Sequence, residues 1–367
     1  MRILPVLFFS LLAVTAHAAT RQSDLGSLEV ELVADGLDTP WAVAFLPDGG
    51  FLVTERDGVL LHFGANGSLQ EVTGVPEVRA KGQGGLLDVL VPRDFETSRE
   101  IFLSYAAPQG NGAGTAVGVG RLSEDGAQLS GFRAIFEMAP GSSGGRHFGS
   151  RLVEAPDGNL FVTVGERGDR PSAQDLGRSQ GSVLRIARDG GVPKDNPFIG
   201  QKGARQEIWS YGHRNPQGAA LDGDGQFWAV EHGARGGDEV NKVRKGANYG
   251  WPVISYGKHY SGGKIGEGTQ KPGMEQPAHY WDPSIAPSGM AILKTPLMKG
   301  WKGDFLVGSL KFDMISRLER QGDVLVEVER LDWRETERVR DVREAPDGSV
   351  WFVSEARGAI YRVAPAQ

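Results

Sequence analysis

The stretch AVAFLPDGGFLVTE, residues 42–55, sets two apolar runs on either side of a Pro-Asp-Gly turn. Its flanks carry apolar residues as half-buried strands do, and Asp-Gly accepts the positive φ that a tight reversal needs. The stretch therefore reads as a β-hairpin. The pattern returns as RLVEAPDGNLFVTVGE at 151–166, as GAALDGDGQFWAVEHG at 218–233 and as DVREAPDGSVWFVSEARGAIYRV at 341–363. Two weaker copies fill the gaps: LLDVLVPRDFETSREIFLSYA from Leu86 and GMAILKTPLMKGWKGDFLVGSL from Gly289. Six similar hairpins, spaced by one supersecondary unit plus loops, predict an all-β fold, a six-bladed β-propeller. A β-sandwich is the alternative, but it has no need for six copies of one hairpin. A strand from about Leu28 to Val33 is placed to pair with the last blade and close the ring. Helical periodicity is nearly absent, so no substantial helix is expected.

Composition agrees. The chain has 367 residues and 53 glycines, against an average glycine share of roughly 7%. The glycines are spread along the chain, as many turns between short strands require. The net charge is −6 with acidic and basic residues interspersed, which gives no electrostatic reason to bind nucleic acid and no polybasic membrane patch. Residues 1–18 read as a secretory signal peptide: Arg2, the apolar stretch Ile3 to Val14, then Ala16-His17-Ala18 as the cleavage site. An N-terminal anchor is the alternative, but the apolar run is short for a bilayer. Residues 19–367 are then expected as a single propeller domain, periplasmic or secreted, with no integral membrane segment. The absence of cysteine excludes disulfides, thiolate metal sites and a cysteine nucleophile.

In a propeller the loops between strands gather at the mouth of the central channel and carry function. The segments 108–145, 168–205 and 233–287 are too long for simple turns and are expected to build a pocket. His147, in GSSGGRHFGSRL, stands just before the strand that opens one hairpin, and Glu166, in VGERGDR, stands at the exit of the same hairpin. Both can occupy one end of one blade, where a carboxylate fixes an imidazole tautomer and raises its basicity. No HxxxH or HxH pair occurs, so a histidine zinc site is disfavoured.

YGHRNPQG, residues 211–218, precedes the next hairpin in the same relative place, so Arg214 and Asn215 belong to the same rim. Lys311 follows the fifth hairpin, and Arg338 and Arg340 precede the sixth on one strand face. Four cations in one pocket of an acidic protein imply an anionic ligand. The loop EHGARGGDEVN, residues 231–241, offers main-chain carbonyls and the carboxylates of Asp238 and Glu239, an oxygen-only set that suits calcium without being an EF-hand.

Together GQGGLLDV, RHFGSRL, YGHRNPQG, EHGARGGDEVN, ANYGWP, DPSIAPSGM and RVRDVREAPDG resemble, in order and over nearly the whole chain after residue 18, the soluble PQQ-dependent aldose sugar dehydrogenases of the glucose/sorbosone dehydrogenase family. The resemblance implies pyrroloquinoline quinone (PQQ) and calcium (Ca2+) at the central channel, an aldose sugar as substrate, a lactone as product, and an external electron acceptor (quinone, cytochrome or dye). By motif match it assigns Gln83, Arg214, Asn215, Lys311, Arg338 and Arg340 to PQQ, with Tyr260 and Ser284 beside them. It assigns the carbonyls of Gly233 and Ala234 to the cofactor calcium, and Glu239 and Tyr249 to a second calcium. It makes His147 the base that takes the anomeric hydroxyl proton as hydride passes to the quinone, with Glu166 in the place of a supporting aspartate.

The chain departs from the pattern at Arg146, where soluble glucose dehydrogenase has an aspartate, and at Ala234, often proline. The loops around the sugar site are also shorter, so a broad aldose range is expected. Two other readings stand beside this one. A calcium-dependent propeller lactonase or esterase has no need for Lys311, Arg338 and Arg340 together. A non-catalytic binding propeller has no need for His147.

Overall fold

The computed structural model describes residues 18–295 and 297–366; the expected leader at 1–18 lies outside these, except for Ala18. The chain builds six antiparallel sheets, each one blade of a β-propeller. Blade 1 spans 40–71, blade 2 86–137, blade 3 149–211, blade 4 216–281, blade 5 287–331 and blade 6 339–365. The first strand of every blade contacts the first strands of both neighbours, which closes a ring around the axis. Blade 6 takes two outer strands from the other end of the chain. Gly26–Ala34 pairs antiparallel with Ala359–Pro365, and Ala19–Ser23 pairs with Gly26–Ala34. The one α-helix among the described residues, Phe95–Ser98, has four residues, and none is long and apolar enough to cross a membrane.

The Pro-Asp-Gly turns share one hydrogen-bond scheme. In the first, Leu46 N–H donates to the Gly50 carbonyl and Gly49 N–H to the Leu46 carbonyl. The same pair of bonds recurs at Ala155, Asp222 and Ala345. The turn glycines Gly49, Gly158, Gly225 and Gly348 have φ of 89°, 83°, 80° and 83°, where a side chain would be strained. The turn aspartates add a brace: Asp48, Asp157 and Asp347 each accept the N–H two residues on.

One expected insertion is not one. Of residues 108–145, Gly112–Leu122 and Leu129–Glu137 are the third and fourth strands of blade 2. GAGTAVGVGRL lacks large apolar residues because its neighbours fold over it. A Cβ on Gly118 would lie 2.3 Å from the Phe132 ring, and one on Gly120 2.6 Å from Leu129. The other two segments also contain blade strands, Ser182–Ile186 and, in blade 4, Asp238–Lys242 and His279–Trp281. The longest irregular stretch left, 243–278, does flank the pocket.

The axis is fastened by charge. Arg151 on blade 3 lies 3.0 Å from Asp88 on blade 2 and 3.1 Å from Asp341 on blade 6. Arg343 on blade 6 lies 2.7 Å from Asp88 and 2.9 Å from Asp341. Burial alone would lower the Arg343 pKa, but Asp341 and Asp88 hold it above its ordinary value. Main-chain groups complete the ring. Asp88 accepts Leu152 N–H at 2.8 Å, Asp341 accepts Val43 N–H, and Arg151 Nε donates to the Gln217 carbonyl at 3.0 Å. On blade 5, a Cβ on Gly289 would stand 2.3 Å from Asp341 Oδ1, so glycine lets that strand reach the ring.

Removing one member leaves a buried charge without its counterion. We expect Asp88→Ala and Asp341→Ala each to lower the unfolding free energy by about 3–5 kcal/mol in urea titrations. A loss under about 1 kcal/mol would show that the ring does not fasten the blades.

Candidate functional site

A cavity of about 1190 Å³ opens at the end of the channel where the first strands of the blades begin. A smaller recess of about 290 Å³ adjoins it, sharing Gln83 and Tyr260 as walls.

His147 and Glu166 face this recess. His147 sits at φ 56° between the loop from blade 2 and the strand Gly149–Glu154, its N–H held at 2.7 Å by Gln83 Oε1. Its Nδ1 lies 2.5 Å from Glu166 Oε1. A carboxylate only accepts, so the ring proton sits on Nδ1 and Nε2 is left to accept a proton. Burial lowers the His147 pKa; the hydrogen bond to Glu166 opposes this, while Arg214 and Arg146 add to it. The imidazole is therefore a neutral base at pH 7.

Arg214 and Asn215 enter from the loop before blade 4. Arg214 Nη1 donates to the His232 carbonyl at 3.2 Å, and Asn215 Oδ1 accepts Gly149 N–H at 3.1 Å. Two of their other donors, Arg214 Nε and Asn215 Nδ2, are buried and have no partner among the described residues. Buried donors without acceptors mark where a ligand's acceptors belong. Across the cavity Arg338 and Arg340 both place Nε on Glu355, at 2.8 and 2.6 Å. Arg340 also donates to Gln217 Oε1 at 3.1 Å. One carboxylate thus aligns two guanidiniums and leaves further donors on each for the cavity. Lys311 is exposed there, its Nζ 3.0 Å from the Ser284 carbonyl.

The remaining predicted residues fall into three groups. Gly233 and Ala234 line the cavity wall. Ser284 lines it too, but its hydroxyl donates to Asp238 Oδ2 at 2.7 Å. Asp238 also accepts the N–H groups of Gly233 and Ala286, so it braces the loop and is not a free ligand. Tyr260 is 71% exposed on the wall between cavity and recess. Glu239 and Tyr249 lie away from the cavity, around Glu231. Asn241 Nδ2 bridges Glu231 and Glu239 at 3.0 and 3.2 Å, and His213 joins Glu231 while stacking on Tyr249. Burial, with Glu231 close by, pushes the Glu239 carboxyl above the usual carboxylate range. The Tyr249 hydroxyl is engaged by the Lys242 carbonyl and Arg244 N–H.

Sequence reasoning missed Glu355, Gln217 and His232. His232 lines the cavity, and burial together with Arg214 and Arg340 pushes its pKa down to about 3, so it is a neutral wall among cations. Its only sequence cue was its place directly before Gly233. Gly141-Ser-Ser-Gly-Gly145 spells the GxSxG pattern, but exposed Ser143 lies in a bend with no helix after it, unlike a nucleophile elbow.

Residues 37–362 match the family described as Glucose / Sorbosone dehydrogenase. The chain is 46% identical to an Escherichia coli protein named aldose sugar dehydrogenase YliI, over 92% of this chain and 93% of that one. It is 26% identical to the quinoprotein glucose dehydrogenase B of Acinetobacter calcoaceticus, over 89% and 85%. The solved apo form of the E. coli soluble aldose sugar dehydrogenase superposes with a TM-score of 0.89 at 45% identity, covering 92% of this chain and 100% of that one. The PQQ-bound aldose sugar dehydrogenase of Streptomyces coelicolor superposes with a TM-score of 0.77 at 27% identity, covering 94% and 99%.

The imidazole of His147 should titrate below its ordinary value when followed by NMR. In Glu166→Gln it should move lower still, because a group that favours the cation is gone. An upward shift in that variant would show that Glu166 does not support the protonated ring.

Proposed function

The chain belongs to the glucose/sorbosone dehydrogenase family and is an oxidoreductase of its PQQ-dependent sugar dehydrogenase type, and on that premise we propose that it oxidises aldoses at the anomeric carbon to lactones. The observation that carries this reading is the hydrogen-bonded His147–Glu166 pair in a recess that adjoins a cation-lined cavity.

His147 Nε2 takes the proton of the anomeric hydroxyl. Glu166 stabilises the imidazolium that results and keeps the ring oriented. Arg214, Asn215, Lys311, Arg338, Arg340 and Gln83 would hold PQQ, with Tyr260 and Ser284 on the adjoining wall. The fit rests on charge, since PQQ is a tricarboxylate, and on the buried, unpartnered donors of Arg214 and Asn215. When bound, PQQ supplies the two-electron acceptor and calcium a Lewis acid for its carbonyl.

No cluster of three or more acidic, histidine or cysteine side chains is arranged for a metal among the described residues. A cofactor calcium would instead be held by main-chain oxygens, those that the family resemblance assigns to Gly233 and Ala234. A second would sit at Glu239, where Asn241 Oδ1 is buried without a partner and the Glu239 carboxyl is buried beside that of Glu231. Tyr249 would contribute its main-chain carbonyl, since its hydroxyl is engaged. An external acceptor, a quinone, cytochrome or dye, would take the electrons. The reading of residues 1–18 as a signal peptide supports a periplasmic or secreted location.

The test is reconstitution of the purified protein with PQQ and calcium, followed by dye reduction with aldoses. Dye reduction that requires both additions is expected. No cofactor uptake and no reduction with any aldose would overturn the reading, and lactone hydrolysis without PQQ would favour a lactonase. His147→Ala should lower kcat by about 10²–10⁴-fold while the protein still takes up PQQ. Arg338→Ala and Arg340→Ala should instead weaken PQQ affinity; unchanged affinity would remove them from the cofactor site.

The pH profile follows from the lowered pKa of His147. The base is lost only as pH falls through that value, so the acid limb of kcat/KM should lie below pH 6.5, the ordinary value for histidine. A limb above it would point to another base.

A further inference from the structure

The recess at His147 is more cationic than the cofactor reading requires. Three guanidiniums line it, those of Arg146, Arg170 and Arg214. Its one carboxylate, Glu166, is 1% exposed and already bonded to His147. None of the three arginines has a salt-bridge partner among the described residues, although the chain as a whole is acidic. Arg146 and Arg170 line only the recess, as Arg214 does, but unlike Arg214 neither belongs to the set proposed to hold the cofactor.

Both side chains are positioned. The main chain at Arg146 is held by Arg167, which donates to its carbonyl. The Arg146 guanidinium crosses Gly168, where a Cβ would come within 2.7 Å of Nε, so glycine makes room for it. Arg170 lies over the Trp251 ring at 5.3 Å and donates from Nη1 to His259 Nδ1 at 2.9 Å, which leaves its other donors for the recess.

We propose that this recess selects aldoses carrying an anionic group, a carboxylate or a phosphate ester, and that Arg146 and Arg170 are the specificity-determining residues. The proposal rests on the sugar-oxidising reading above. Guanidinium meets either anion through paired, charge-assisted hydrogen bonds, and neutral hydroxyls gain much less from it.

The test compares kcat/KM of the PQQ- and calcium-loaded enzyme for glucose, glucuronic acid and glucose 6-phosphate at low salt. We expect at least one anionic aldose to exceed glucose by about 10- to 100-fold, chiefly through KM, and the advantage to shrink with added salt. The better of the two identifies which anion the recess fits. In Arg146→Gln and Arg170→Gln the ratio of anionic to neutral substrate should fall towards one. Calorimetry on protein loaded with reduced PQQ, where no turnover occurs, should show the same loss of affinity for the anionic sugar. Oxidation of glucose with no gain for either anion, or a ratio unmoved by both substitutions, overturns this proposal and leaves the dehydrogenase reading standing. Oxidation of no aldose at all overturns the dehydrogenase reading itself.

Discussion

The ring of Asp88, Arg151, Asp341 and Arg343 is the constraint that the rest of the molecule answers to. The first strands of six blades meet around the axis, and the charged side chains they bring there must be matched. Two aspartates and two arginines solve this by each touching two partners, and the main chain of blades 1, 3 and 4 supplies the remaining hydrogen bonds. A buried ion pair is by itself a poor source of stability, but a closed set with its lone pairs satisfied sets position. Along the strand Val339–Glu344, Arg340 lines the large cavity, Asp341 belongs to the ring, and Arg343 lines a shallower pocket with Glu344 and Leu152. The ring is therefore the floor of the site, and the functional groups stand on the strand ends just above it.

The site uses charge in two ways. Glu355 spends one carboxylate on aligning Arg338 and Arg340, which keeps two like charges together without neutralising the cavity. His147 and His232 work in the opposite sense. Burial keeps both rings neutral amid arginines, so one is free to act as a base and the other is an uncharged wall.

The hairpins were legible because everything that makes them is local: an apolar run, an aspartate that caps the turn, a glycine at positive φ. The His147–Glu166 pair was legible because both residues flank a single hairpin, so register alone brought them together. Where partners come from distant chain, legibility failed. Glu355 is the exception: it flanks the sixth hairpin opposite Arg338 just as Glu166 flanks the third, so register could have found it. Nothing near Asp88 announces Arg343. The outer strands of blade 2 were read as an insertion because the residues that cover their glycines, Phe132 and Leu129, lie on the partner strand. Asp238 looked like a ligand by residue type and proved to be a brace, since Ser284 and Ala286 arrive from the far side of the 243–278 stretch to occupy it.

The sixth blade joins both ends of the chain, with Gly26–Ala34 laid against Ala359–Pro365. That splice imposes an order in time. The strand Gly26–Ala34 is made long before its partner, so the ring stays open until Ala359–Pro365 has been synthesised. Until then the strands from Gly26 and Ala19 have no edge to join, and the ring of aspartates and arginines lacks blade 6, which brings Asp341 and Arg343. Contacts so far apart in the chain close slowly. The architecture thus withholds its final closure until the strand Ala359–Pro365 has arrived.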